Sequence, residues 1–123
     1  MYNEKVIRNF VNPYNAGGLH KANAVGKVGS AERGDIVKFY FRINNETRII
    51  EEARFKTFGC TASIACSNVA CDMVKGKTIE EVLKISNGDI IKALGELPMD
   101  KIYCATTVEE AIKEAINNYN INE

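Results

Sequence analysis

One stretch constrains the chain more than any other. In Phe55-Lys56-Thr57-Phe58-Gly59-Cys60-Thr61-Ala62-Ser63-Ile64-Ala65-Cys66, a strand pattern runs into a glycine, a cysteine follows at once, and a helical pattern begins. A thiol at a helix start faces unpaired backbone N–H groups and the positive end of the helix dipole, so its pKa is expected to fall. Thiolates bind metals and attack sulfur. The fold and the chemistry therefore both turn on Cys60 and on what joins it.

Upstream, residues 3–11 predict a short amphipathic helix with Val6, Ile7, Phe10 and Val11 on one side. Asn12-Pro13 ends it, because a residue before proline is pushed out of the helical region. A loop of glycines and small residues follows, in which Val25 and Val28 give a weak edge-strand signal. From Asp35 the period is two: Val37, Phe39, Phe41 and Ile43 alternate with Ile36, Lys38, Tyr40 and Arg42. Asn44-Asn45-Glu46-Thr47 predicts a turn. The returning strand spans 48–58, with Ile49, Ala53 and Phe55 on one face and Glu52, Arg54 and Lys56 on the other.

Downstream the pattern is helical. A helix over about 62–75 carries Ala62, Ala65, Cys66, Val69, Ala70 and Met73, with Gly76 at its end. Thr78-Ile79-Glu80-Glu81 is a capping box, and Ser86-Asn87-Gly88-Asp89 opens another short helix. Leu97-Pro98 is a break. The last helix carries Val108, Ala111, Ile112, Ala115, Ile116 and Tyr119, starting at Thr107 or nearer Cys104. Strands early and helices late predict an α+β fold: a small antiparallel sheet of about three strands with helices on one face, in a single domain over 1–123.

Sixteen basic and sixteen acidic residues cancel, leaving no overall electrostatic footprint for nucleic acid or a membrane surface. No apolar run approaches the ~20 residues that span a bilayer. Met1–Lys5 lacks the basic segment and apolar core of a signal peptide, so the cytoplasm is the expected compartment. In a reducing compartment Cys60, Cys66, Cys71 and Cys104 are metal ligands, reactive thiols or core residues rather than disulfides.

Cys60 and Cys104 share a setting, each at or just before a helix start. Asp35, at the head of the hairpin, can reach the same sheet edge. Two thiolates and a carboxylate suit zinc or iron and leave one coordination position open. Spacing alone also fits four scattered core cysteines, since no CxxC pair is present. Cys66 falls on the apolar stripe, roughly opposite Cys60 around the helix, and reads as core. Cys71 falls on a flanking face and reads as partly buried. His20 reads as a solvated loop residue.

The constellation resembles the iron–sulfur cluster assembly scaffold family of the IscU and NifU N-terminal type, over nearly the whole chain. The resemblance rests on Asn12-Pro13-Tyr14-Asn15-Ala16-Gly17, Glu52-Ala53-Arg54-Phe55-Lys56-Thr57-Phe58-Gly59-Cys60, Lys75-Gly76-Lys77-Thr78 and Lys101-Ile102-Tyr103-Cys104, in that order. It implies a compact α+β scaffold, not an enzyme, that holds a nascent [2Fe–2S] cluster, iron or zinc at one edge. It also implies sulfur from a cysteine desulfurase and transfer to iron–sulfur acceptor proteins. Carried over by residue, the implied ligands are Cys60, Cys104 and Asp35.

Two positions depart from the family pattern. Arg33 stands where the family has its first cysteine, and Tyr103 where it has a histidine. Arg33 adds a fixed cation that can offset cluster charge or occupy the missing ligand's space. Cys66, Tyr103 or His20 is left to complete the set, Cys66 only if its helix shifts. Leu97-Pro98-Met99-Asp100-Lys101 replaces the LPPVK segment read by the family's dedicated chaperones, which argues against chaperone-assisted transfer. Two rival readings remain: a homologue that docks with a desulfurase, accepting persulfide on Cys104 or acting as a regulator without building clusters, and a thiol redox protein using Cys60 and Cys104.

Overall fold

The computed structural model describes residues 2–30, 32 and 34–119. Strands β1 (Ala24–Ser30), β2 (Asp35–Ile43) and β3 (Ile50–Phe58) form an antiparallel sheet in sequence order. The alternation in β2 is complete: Val37, Phe39, Phe41 and Ile43 are buried, and the residues between them are partly exposed. β1 is a full seven-residue strand despite its glycines. The reason is tertiary. A Cβ on Gly26 would lie 2.2 Å from the backbone N of Ala115, so the missing side chain lets a helix lie on the sheet.

The returning strand differs from expectation at its start. A register shift falls between Arg42 and Ile43, and Ile50 rather than Ile49 is the buried residue. The irregularity inserts a residue and moves the first apolar side chain by one position. Asn44 closes the turn by accepting hydrogen bonds from the Glu46 and Thr47 N–H groups.

Five helices are assigned among the described residues: α1 (Glu4–Val11), α2 (Thr61–Val74), α3 (Ile79–Val82), α4 (Asn87–Leu94) and α5 (Ile102–Asn117). α2 packs on β3 and against α1, α4 and α5, while α5 packs on β1 and β2. The capping boxes at Thr78 and Ser86 both form. At the end of α2 Lys75 is the cap, and Gly76 follows it with φ +81°, the left-handed position that closes many helices. α5 starts at Ile102, so Thr107 lies inside it rather than capping it.

Asn15 shows what the Asn12–Gly17 segment does. It is buried, and its backbone N–H and side-chain amide donate to Asn68 of α2, at 2.9 and 3.0 Å. Its Oδ1 accepts from Lys75 at 2.6 Å, and its backbone carbonyl accepts from the Phe55 N–H. One residue thus pins the loop to α2 through its side chain and to β3 through its backbone carbonyl.

Candidate metal centre

The β2–β3 register pairs Ile36 with Phe58, so the next residues along, Asp35 and Gly59, meet at one end of the sheet. A Cβ on Gly59 would come within 2.9 Å of the Ser63 hydroxyl and 3.7 Å of the Asp35 Cβ. Gly59 therefore lets the strand turn into α2 with Asp35 against the turn. Cys60 follows as the N-cap of α2, in extended backbone conformation and half-buried. Cys104 comes from the first turn of α5 and is buried.

The Cys60 and Cys104 sulfurs stand 3.7 Å apart. Metal–sulfur bonds of ~2.3 Å meeting at a tetrahedral angle place two sulfurs about 3.8 Å apart. The thiol pair thus has the spacing of one edge of a tetrahedral site. Ser63 sits between the two, its hydroxyl 3.7 Å from the Cys60 sulfur and donating to that of Cys104 at 3.5 Å.

The two thiols are electrostatically unlike. Burial pushes the Cys60 thiol up, but the backbone N–H groups of Ser63 and Ala62, with the Ser63 and Cys104 side chains, outweigh it, and the net shift is downward. Burial dominates at Cys104 and raises it, opposed in part by Ser63 and Tyr103. Tyr103 is itself pushed up to about 12, first by the charge of Cys104 and then by its hydrogen bond to that thiol. Tyr103 is 45% exposed.

Asp35 is buried, and the Thr107 hydroxyl lies 3.4 Å from its Oδ2 while bonding the Tyr103 carbonyl at 3.1 Å. Among the described residues, no three His, Cys, Asp or Glu side chains form a group that could hold a metal ion. The fold brings Cys60 and Cys104 together and sets Asp35 beside the turn that carries Cys60. The sequence assigned no site role to Ser63 and only a helix-start role to Thr107. The signal for both is helical spacing, Ser63 three residues after Cys60 and Thr107 four after Tyr103.

The other candidates lie elsewhere. Cys66 is fully buried in α2, and burial raises its thiol strongly. Cys71, expected on a partly buried flank, is fully buried too, because α2 is enclosed on several sides rather than along one stripe. His20 is exposed in the loop before β1. Arg33 lies outside the described residues. Met99–Lys101 forms a single 3-10 turn leading into α5, with Met99 prominently exposed.

Comparison with known proteins shows the family. The model of the NifU-like N terminal domain matches residues 1–123. The chain belongs to that family. It is 45% identical over 118 residues to the iron–sulfur cluster assembly scaffold protein IscU of Aquifex aeolicus, covering 96% of this chain and 75% of that one. It is 44% identical over 118 residues to the nitrogen fixation protein NifU of Azotobacter chroococcum, covering 96% of this chain but only 38% of the relative. In structure it is similar to a candidate iron–sulfur scaffold for the SUF system from Fervidobacterium islandicum, with TM-score 0.77, 21% identity and coverage of 94% and 96%. That last likeness speaks for the α+β fold alone. No helix among the described residues is long and apolar enough to cross a membrane.

Proposed function

We propose that this chain is a scaffold on which an iron–sulfur cluster is built and from which it is passed on, the cluster being cargo. The observation that carries the reading is the 3.7 Å separation of the Cys60 and Cys104 sulfurs at one end of the sheet. Cys60, with its lowered pKa, is the first thiolate offered to iron. Cys104 keeps its proton longer and releases it on binding metal, as thiol ligands must. Asp35 is the neighbouring carboxylate, oriented by Thr107, that turns toward the metal as a third ligand.

Two thiolates and one carboxylate leave a coordination position open, which suits a cargo that must be released. Arg33 is proposed to offset the negative charge of a thiolate-bound cluster, and Tyr103 to supply a further contact. Iron and a [2Fe–2S] cluster are the proposed cargo, and zinc fits the same donors. A cysteine desulfurase supplies the sulfur, iron–sulfur acceptor proteins take the product, and the cytoplasm is the proposed setting. The chain itself is not proposed to catalyse a reaction, and the Met99–Lys101 turn is not proposed as a chaperone site.

Anaerobic reconstitution with ferrous iron and sulfide tests the proposal. Wild-type protein should gain bound iron and sulfur-to-iron charge-transfer absorption, and Cys60→Ser and Cys104→Ser should each lose both. A wild type that takes up neither sinks the scaffold reading; serine variants that keep the cluster sink the ligand assignment.

The same geometry favours one second reading, a sulfur acceptor that builds no cluster. Here a thiolate attacks the outer sulfur of a desulfurase persulfide, a new S–S bond forms, and the enzyme's thiolate leaves. Half-exposed Cys60 suits this step better than buried Cys104. Persulfide mapped to Cys60, without iron uptake, would favour it.

A further inference from the structure

The sheet face turned away from α2 and α5 carries charges in an order that stability alone does not favour. Lys27 pairs with Lys38, and Lys38 with Lys56, so three lysines form one row across all three strands. Like charges directly opposite one another destabilise a sheet. Two rows away, Arg42 faces Glu52, an opposite-charge pairing in register. The lysine row has no such relief within the row. The Lys38 and Lys56 ammonium groups lie 5.1 and 5.8 Å from the centre of the Tyr40 ring, whose face offsets part of the repulsion.

The neighbouring rows give the patch a direction. Toward the thiol end comes Ile36 opposite Phe58, and the Phe58 side chain is 65% exposed two residues before Cys60. Away from it comes Tyr40 opposite Arg54. A cationic patch thus runs up to an exposed aromatic beside the candidate centre. Strand spacing makes it only about 10 Å across. It is bounded by the Glu52 carboxylate on one side and by apolar residues on the other. Such a short, bounded patch fits a folded protein's cluster of carboxylates better than a long phosphate backbone.

We infer that the lysine row and Phe58 form the docking surface for a partner protein that presents a carboxylate-rich segment with an apolar anchor. The partner's purpose at Cys60 rests on the scaffold reading; the binding itself does not. Charge complementarity steers the approach, and Phe58 fixes the register.

The test is fluorescence anisotropy with a labelled short peptide of glutamate and aspartate carrying one central phenylalanine. Wild-type protein should bind it, with affinity falling as salt is raised from about 50 to 300 mM. Combined Lys27→Glu, Lys38→Glu and Lys56→Glu should weaken binding by about tenfold or more. Combined Lys77→Glu, Lys84→Glu and Lys92→Glu, with the same change in net charge, should weaken it less than about twofold. Lys38→Glu alone should weaken binding yet raise Tm, because it places opposite charges on both sides of the central strand. A merely structural lysine would not give that pairing of effects. Equal losses from the two triple variants overturn the proposal, as does tighter binding of a single-stranded oligonucleotide through the same lysines. Iron loading of the same proteins separates the two readings. Iron uptake without peptide binding defeats only the docking surface, and lysine-dependent peptide binding without iron uptake defeats only the scaffold.

Discussion

Cys60 and Cys66 belong to the same helical segment, six residues apart, and could hardly be less alike. Cys60 caps α2, half-exposed, with backbone N–H groups that favour its thiolate. Cys66 faces the core with no exposed surface, and burial holds it as a neutral thiol. Cys71 repeats the second case. Less than two turns of helix separate a half-exposed thiol that favours its thiolate from a neutral core thiol. Position on the helix, not residue identity, decides which chemistry a cysteine has.

Alkylation should show this contrast most strongly. Cys66 and Cys71 react only after the fold opens, so in native protein iodoacetamide should modify them at least about a thousandfold more slowly than Cys60, read by mass spectrometry. Comparable rates would mean that α2 is not packed as described.

Stability should change in opposite directions at the two positions. Cys66→Ser puts a hydroxyl into an apolar core, and urea unfolding should show a loss of about 1–3 kcal/mol. Cys60→Ser places a favoured residue at an N-cap and should be neutral or stabilising by roughly 0.5–1 kcal/mol. Loss of stability at both would show that Cys60 is also a packing residue.

Thiolate titration should separate Cys60 from Cys104, read as two steps in the ultraviolet thiolate absorbance of the native protein. A lowered pKa brings ionisation to lower pH and a raised one delays it. Cys60 should therefore reach its midpoint below that of an ordinary cysteine thiol, and Cys104 above it. The smallest effect is expected at Ser63, whose hydroxyl favours both thiolates. Ser63→Ala should move both midpoints upward and slow Cys60 alkylation near neutral pH by about two- to tenfold, the worth of one hydrogen bond. An unchanged Cys60 profile would leave the backbone N–H groups and Cys104 as the cause.

Much of the architecture was legible because its signals are local. The alternation from Ile36 to Ile43, the capping boxes at Thr78 and Ser86 and the Gly59-Cys60 hand-over each need only a few neighbouring residues. Where expectation and structure differ, the cause lies in pairing and packing between elements. The irregularity at Arg42 and Ile43 moved the core position from Ile49 to Ile50. Enclosure of α2 by its neighbouring helices and the sheet buried Cys71 and Asn68 beyond what one apolar stripe predicts. Balanced totals of sixteen and sixteen charges gave no hint of three lysines in one row, since pairing register lies outside composition.

The sequence alone determined the helices, two of the strands and the candidacy of Cys60, Cys104 and Asp35, because periodicity and capping are short-range. Only the tertiary structure brought the Cys60 and Cys104 sulfurs to 3.7 Å across 44 residues of chain, with Ser63 between them and Thr107 beside Asp35. Such convergence depends on how α2 and α5 pack on the sheet. That packing is fixed by contacts such as Gly26 against Ala115, whose partners lie far apart in the chain.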